Sequence, residues 1–262
     1  MNKYIFLLFI LITTNIFAKD TSFTSSVSLV SMSMDYREYD KHGNILDSED
    51  SSYLDLGGVE VSLGYTIAED LISSSEIIFN FMILAGNTTY TGSYLGSTLG
   101  YGSVVSTTLN TIIDKDISYK QSRVLNNKIE ISYGIGIGHR YWERVLNISQ
   151  IEKYTWYSIR PMFGINTVNK ERFNLGMFIE YQYGFDTKVS ASNPDLDFKL
   201  GGADILEVSF PVSYKYNENT DFFFEATLQK QMIEESNVNS GYYEPKSTAY
   251  NSYLKIGIEY NF

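Results

Sequence analysis

The chain of 262 residues contains no cysteine, two histidines, two tryptophans and four prolines. Without cysteine there is no disulfide, no thiolate nucleophile, no Cys-ligated metal and no lipid carried on an N-terminal cysteine. Positive charge is scarce as well: 20 Lys and Arg stand against 31 Asp and Glu, a net charge of −11 at pH 7. Such a chain repels phosphate backbones, so nucleic acid is excluded as a partner class. Beyond Ala18 no stretch approaches the roughly 20 apolar residues of a membrane-spanning helix. What is plentiful is aromatic, with 22 Tyr and 16 Phe, a composition that favours strands.

The N-terminus has the order of a secretory signal peptide. Lys3 supplies a positive start, Tyr4 to Ile12 an apolar run, and Asn15-Ile16-Phe17-Ala18 a small-residue site before charged Lys19-Asp20. The expectation is a signal peptide over 1–18, cleaved after Ala18, and one mature domain over 19–262.

The mature part is written in period two. At the C-terminus Leu254, Ile256, Ile258, Tyr260 and Phe262 alternate with Lys255, Gly257, Glu259 and Asn261. That is a strand with one apolar and one polar face. The same alternation recurs in Val59 to Ile67, Ile129 to Ile137, Phe173 to Phe185, Val208 to Tyr216 and Phe222 to Leu228. Weaker versions cover 21–38, 71–87, 103–120 and 152–168. Long linkers near 39–51, 88–102, 188–203 and 236–247, with a modest one near 145–151, alternate with shorter ones: Ala68-Glu69-Asp70, 121–127 with Asn126-Asn127 as turn chemistry, Asn169-Lys170-Glu171 and Asn217-Glu218-Asn219. About ten strands with this rhythm predict an all-β, up-and-down antiparallel transmembrane barrel in the bacterial outer membrane, with outer-membrane lipid and lipopolysaccharide around it. Tyr65, Tyr181, Tyr183, Tyr214 and Tyr260 fall on the lipid-facing parity near strand ends and suit an interfacial girdle. Tyr260 and terminal Phe262 resemble the signal read by the barrel-assembly machinery.

If odd residues of 129–147 face lipid, the lumen receives Gly134, Gly136, Gly138, Arg140, Trp142 and Arg144. The next strand adds Glu152, Tyr154, Trp156, Ser158 and Arg160, and later ones Glu180, Gln182, Glu207, Glu225, Gln229 and Lys255. Arginines opposite carboxylates in a narrow barrel imply a plug of ion pairs. The sharper alternative is a binding cleft at the mouth built on Arg140, Trp142, Arg144, Glu152, Tyr154, Trp156, Glu180 and Glu207. Catalytic supply is thin: His139 has lipid-facing parity, and His42 sits in the turn-like Asp40-Lys41-His42-Gly43-Asn44. The acidic residues Glu38, Asp40, Asp47, Glu49, Asp50 and Asp55 match no calcium-loop spacing and predict a solvated acidic surface. No catalytic residue, metal or cofactor is expected.

Strand number, projecting hairpins and length resemble the omptin class of outer-membrane barrels, which are surface proteases. Gly134 to Gly164, with its Gly-rich strand, Arg140-Tyr141-Trp142 and following aromatic strand, is similar too. The resemblance implies an Asp-His pair facing two further Asp across the mouth. The matching region, Phe185-Asp186-Thr187-Lys188 through Asp195-Leu196-Asp197, contains Asp and no His, so that mechanism does not carry over. Opc-type adhesins and small OmpA-like barrels are similar as well, and fold alone does not choose among their functions. The leading expectation is a non-enzymatic surface or structural barrel presenting loops, with no external ligand named by the sequence. Its rivals are an outer-leaflet lipid- or peptide-modifying enzyme and a small-solute pore.

Overall fold

The computed structural model describes residues 22–69, 72–93, 100–126, 128–167, 172–193 and 195–262. The expected signal peptide, Asn127 and the 169–171 turn lie outside these residues. Twelve strands follow in order: β1 (Phe23–Tyr39), β2 (Ile45–Asp50), β3 (Leu56–Glu69), β4 (Ser73–Gly92), β5 (Val104–Asn126), β6 (Ile129–Asn147), β7 (Gln150–Thr167), β8 (Phe173–Ser192), β9 (Asp195–Lys199), β10 (Ala203–Lys215), β11 (Thr220–Ile233) and β12 (Lys246–Asn261). Each pairs antiparallel with its neighbours, and β12 returns to β1 with Thr24 opposite Asn261 and Tyr39 opposite Lys246. The result is a closed, ten-stave, up-and-down barrel with no free edge.

Two staves are each built from two pieces. The barrel position between β1 and β4 is held by β3 in its lower part and by β2 above. Residues 51–55 break the stave, and their turn is closed by Asp55, whose carboxylate accepts from the Ser52 amide and hydroxyl at 2.8 Å each. Beside β8, β10 forms the lower part and β9 the upper, with residues 200–202 between. Strand pairing therefore extends well into segments expected as loops: β4 runs to Gly92, β8 to Ser192, and only residues 148–149 separate β6 from β7.

The two faces of each strand meet different solvents. Leu29, Ile137 and Ile256 are 66, 63 and 63 % exposed, which no water-facing surface of this extent tolerates. These side chains form the lipid belt, and Tyr65, Tyr181, Tyr183 and Tyr260 stand exposed near its rims. At the terminal seam Phe262 packs on Tyr260 and Phe23, with ring centroids 4.7 and 5.4 Å apart. The inward face is buried and mixed in character, with Met32, Leu84, Ile112, Trp142 and Tyr154 packed among charged groups. The tight turns lie at the end where β1 starts and β12 finishes, and in an up-and-down outer-membrane barrel the short turns mark the periplasmic end.

The ladder is interrupted at two prolines, and both breaks involve β8. Pairing of β7 with β8 skips from Ile159 to Met162, across Pro161. Pairing of β10 with β8 skips from Ser209 to Val212, across Pro211. Proline has no N–H to donate, so each break follows directly from the residue present.

Replacing Ile135, on the lipid face of β6, by Arg is expected to lower folding stability by about 2–4 kcal/mol. Denaturant unfolding in lipid vesicles measures this; an unchanged midpoint would mean that the belt is not in hydrocarbon.

Candidate functional site: a buried charge cluster at the barrel mouth

Arg144 is carried inward by the even parity of β6, on the same strand as the exposed Ile135 and Ile137. Its side chain is 1 % exposed. Nε and Nη2 both donate to Glu49 Oε1, at 2.9 and 2.8 Å. Nη1 donates to Glu38 Oε1 at 2.9 Å, Glu152 Oε2 at 2.8 Å and Tyr154 Oη at 3.2 Å. Three strands, β1, β2 and β7, thus converge on one guanidinium. Aromatic rings pack around it: its central carbon lies 4.6 Å from the Tyr36 ring centre and 5.4 Å from that of Trp142. Trp142 stacks on Tyr154 at 5.1 Å and meets Tyr36 edge-on at 5.2 Å.

On its β4–β5 side the cluster continues through a chain of side-chain hydrogen bonds. Trp142 Nε1 donates to Asn110 Oδ1 at 2.7 Å, and Asn110 Nδ2 donates to Glu49 Oε2 at 3.1 Å. Thr88 donates to the same Glu49 oxygen at 2.7 Å. Above, Glu244 of the β11–β12 loop accepts a hydrogen bond from Tyr154 Oη. That bond ties the last outer loop down onto the plug.

A second layer lies four residues lower on β6, roughly 13 Å along the strand. Arg140 donates to Asp114 Oδ2 through Nε at 2.7 Å, and Arg160 Nη2 meets Asp114 Oδ1 at 2.7 Å. Gly138 makes this possible: a Cβ there would fall on the Arg160 guanidinium, which lies across the glycine. Beneath and beside this layer is a polar cavity of about 240 Å³, lined by Glu60, Asp116, Glu180, Glu207, Glu225 and Lys255 among others.

Every residue proposed for the mouth points into the lumen, at different heights. Trp142, Arg144, Glu152 and Tyr154 form the plug. Arg140 and Trp156 lie one layer down, with the Arg140 guanidinium 5.9 Å from the Trp156 ring centre. Glu180 and Glu207 line the cavity rather than the mouth. Glu38 and Glu49, expected on a solvated acidic surface, are instead 6 and 0 % exposed within the cluster. Their correction has a simple cause: the outer hairpin continues the barrel wall, so its inward residues meet Arg144. The β1 parity of Met32, Met34 and Tyr36 already pointed to Glu38; nothing comparable pointed to Glu49 or Glu244. His42 is at the exposed hairpin tip, where its amide donates to Asp40 Oδ1 at 2.8 Å. His139 is outside the barrel against Tyr157, ring centres 4.9 Å apart.

Above the lipid belt three carboxyl groups are held well above the ordinary carboxylate range. Burial pushes Asp47 up to about 6, with the charge of Glu38 adding to it. Burial lifts Glu152 to about 7 against the pull of Arg144, helped by Glu38 and Glu49. Glu244 is raised by burial and by the facing Glu38 and Glu152. Glu38, Glu152 and Glu244 bring carboxylate oxygens within 4.8 Å of one another. One arginine cannot neutralise all of these groups, so their protonated forms are favoured to higher pH than in free carboxyls.

No family model matches the chain, and no curated relative matches it. Among solved structures it is similar to the outer membrane protease OmpT from Escherichia coli, at 12 % identity and a TM-score of 0.59, covering 95 % of this chain and 99 % of that one. The chain has the fold of an omptin-like outer-membrane barrel. It is also similar to the transport unit of the autotransporter AIDA-I from Escherichia coli (12 % identity, 95 and 92 % covered, TM-score 0.47) and the translocator domain of the autotransporter NalP from Neisseria meningitidis (6 % identity, 99 and 95 % covered, TM-score 0.46). At that identity the likeness to OmpT speaks to fold alone.

Carboxyls raised on folding stabilise the plug when protonated, so this contribution is complete at acid pH and lost as pH climbs through about 6 and about 7. The two buried tryptophans report it. Acrylamide quenching is expected to increase from pH 5 to pH 8, by less in Glu152→Gln; equal quenching at both pH values would contradict the protonated plug.

Proposed function

We propose that this omptin-like barrel is a closed, non-enzymatic surface protein, a rigid body that presents its outer loops for binding or envelope integrity. The observation that carries this reading is the layer of Tyr36, Trp142, Arg144 and Tyr154 across the outer lumen, none more than 2 % exposed. A solute pore needs a continuous water path, and a mouth enzyme needs an open cleft with a base beside its carboxylates. Both histidines lie away from the mouth carboxylates, one at a hairpin tip and one facing lipid. The mouth residues Trp142, Arg144, Glu152 and Tyr154 then act as a structural keystone instead of a ligand cleft.

In this reading the belt is solvated by outer-membrane lipid and lipopolysaccharide, and the β12 end with Tyr260 and Phe262 is the mark read by the assembly machinery. The presenting surface includes Tyr242 and Tyr243, next to the latch residue Glu244; Lys41 of the first hairpin lies 5.2 Å from the Tyr243 ring centre. Rigid aromatics on an anchored loop suit recognition of an external partner.

Single-channel recording on refolded mature protein tests the reading. Wild type is expected to be silent and Arg140→Ala/Arg144→Ala to leak. Steady conductance in wild type, altered by the double change, would make this a small pore. A change in lipid A composition or surface proteolysis in His42→Ala/His139→Ala cells would restore the enzyme reading.

A further inference from the structure

The cavity below the plug contains a charge imbalance that its own residues do not resolve. Six carboxylates line it, Glu60, Asp114, Asp116, Glu180, Glu207 and Glu225, with three cations, Arg140, Arg160 and Lys255. The cations are committed elsewhere. Arg140 and Arg160 hold Asp114, Arg160 also reaches Asp116 at 3.4 Å, and Lys255 holds Glu60 and Glu225 at 3.0 and 3.1 Å.

Glu180 and Glu207 are left facing each other. They are direct cross-strand partners on β8 and β10, and neither forms an ion pair among the described residues. Like charges in that position repel unless something stands between them. Each receives one amide hydrogen bond: Gln182 Nε2 donates to Glu180 and Gln229 Nε2 to Glu207, both at 2.9 Å. Gln182 is 2 % exposed, lines the same cavity, and its Oε1 has no hydrogen-bond partner. Its donor bond to Glu180 fixes the amide orientation, so the free atom is the carbonyl oxygen.

We infer that Glu180, Glu207 and Gln182 Oε1 form a binding site for a hard divalent cation such as Mg²⁺ or Ca²⁺ inside the barrel. All three donors are oxygens, the set that hard cations select. Two carboxylates balance the ion's charge, and the cavity has room for the waters such ions retain. A proton shared between the two carboxylates would still leave Gln182 Oε1 without a partner, whereas a cation between them would engage all three oxygens. Among the described residues, no buried unpartnered side-chain oxygen belongs to the acidic trio at the mouth.

Mn²⁺ is the probe, followed by electron paramagnetic resonance on protein refolded in zwitterionic detergent. Wild type is expected to bind one Mn²⁺ per chain, displaced by Ca²⁺ or Mg²⁺. Glu180→Gln/Glu207→Gln abolishes binding, Gln182→Leu weakens it at least about tenfold, and Glu244→Gln at the mouth leaves it unchanged. Heat-modifiable gel mobility checks that each variant folds; if the double variant does not, Gln182→Leu decides. No binding up to about 1 mM, binding that survives the cavity substitutions, or binding lost in Glu244→Gln would overturn the site.

Discussion

The buried guanidinium of Arg144 sets the conditions for the rest of the outer barrel. A cation that is 1 % exposed has surrendered its hydration and must recover it from fixed partners. Those partners come from β1, β2 and β7, with Tyr154 relaying the contact to the β11–β12 loop. The geometry admits little slack. A one-residue slip of any of these strands would turn its carboxylate to the outside. The ion cluster therefore does for the mouth what a hydrophobic core does for a soluble domain, fixing which strand positions meet.

The same requirement accounts for the broken staves. A single straight strand from Ile45 to Glu69 would carry one parity throughout. The excursion at 51–55 separates an upper piece, whose Glu49 reaches Arg144, from a lower piece, whose Val59, Val61 and Leu63 meet lipid. Below the plug, Arg140, Asp114 and Arg160 repeat the arrangement on a smaller scale, with Gly138 clearing space for the Arg160 side chain. Rigidity at two heights supports the proposed reading of a barrel that holds its loops still.

Much of this was legible in the sequence because a strand has period two and the membrane forces one face to be apolar. Parity alone placed Arg140, Trp142, Arg144, Glu152, Tyr154, Glu180 and Glu207 inside, and His139 outside. Parity gives the side of the wall but not the height, which is why Glu180 and Glu207 were expected at the mouth and lie in the cavity. Glu49 was hidden by a register shift between Glu38 and Tyr39, a bulge that leaves no compositional trace. Gly138 could be read as internal; that an arginine lies across it depends on β7, twenty-two residues away at Arg160. Glu244 belongs to a loop, where no periodicity operates at all.

The keystone role of Arg144 is tested most directly by a double-mutant cycle on Arg144→Ala and Glu49→Ala, read by denaturant unfolding in lipid vesicles. Arg144→Ala leaves the buried Glu49 carboxylate without its cation. Glu49→Ala takes away the partner of Nε and Nη2 while Glu38 and Glu152 remain, and the double change removes both sides of the contact. If the cluster is organised around this contact, the coupling energy exceeds about 2 kcal/mol. If the two losses simply add, to within about 0.5 kcal/mol, Arg144 is one charge among several and the mouth is held by something else.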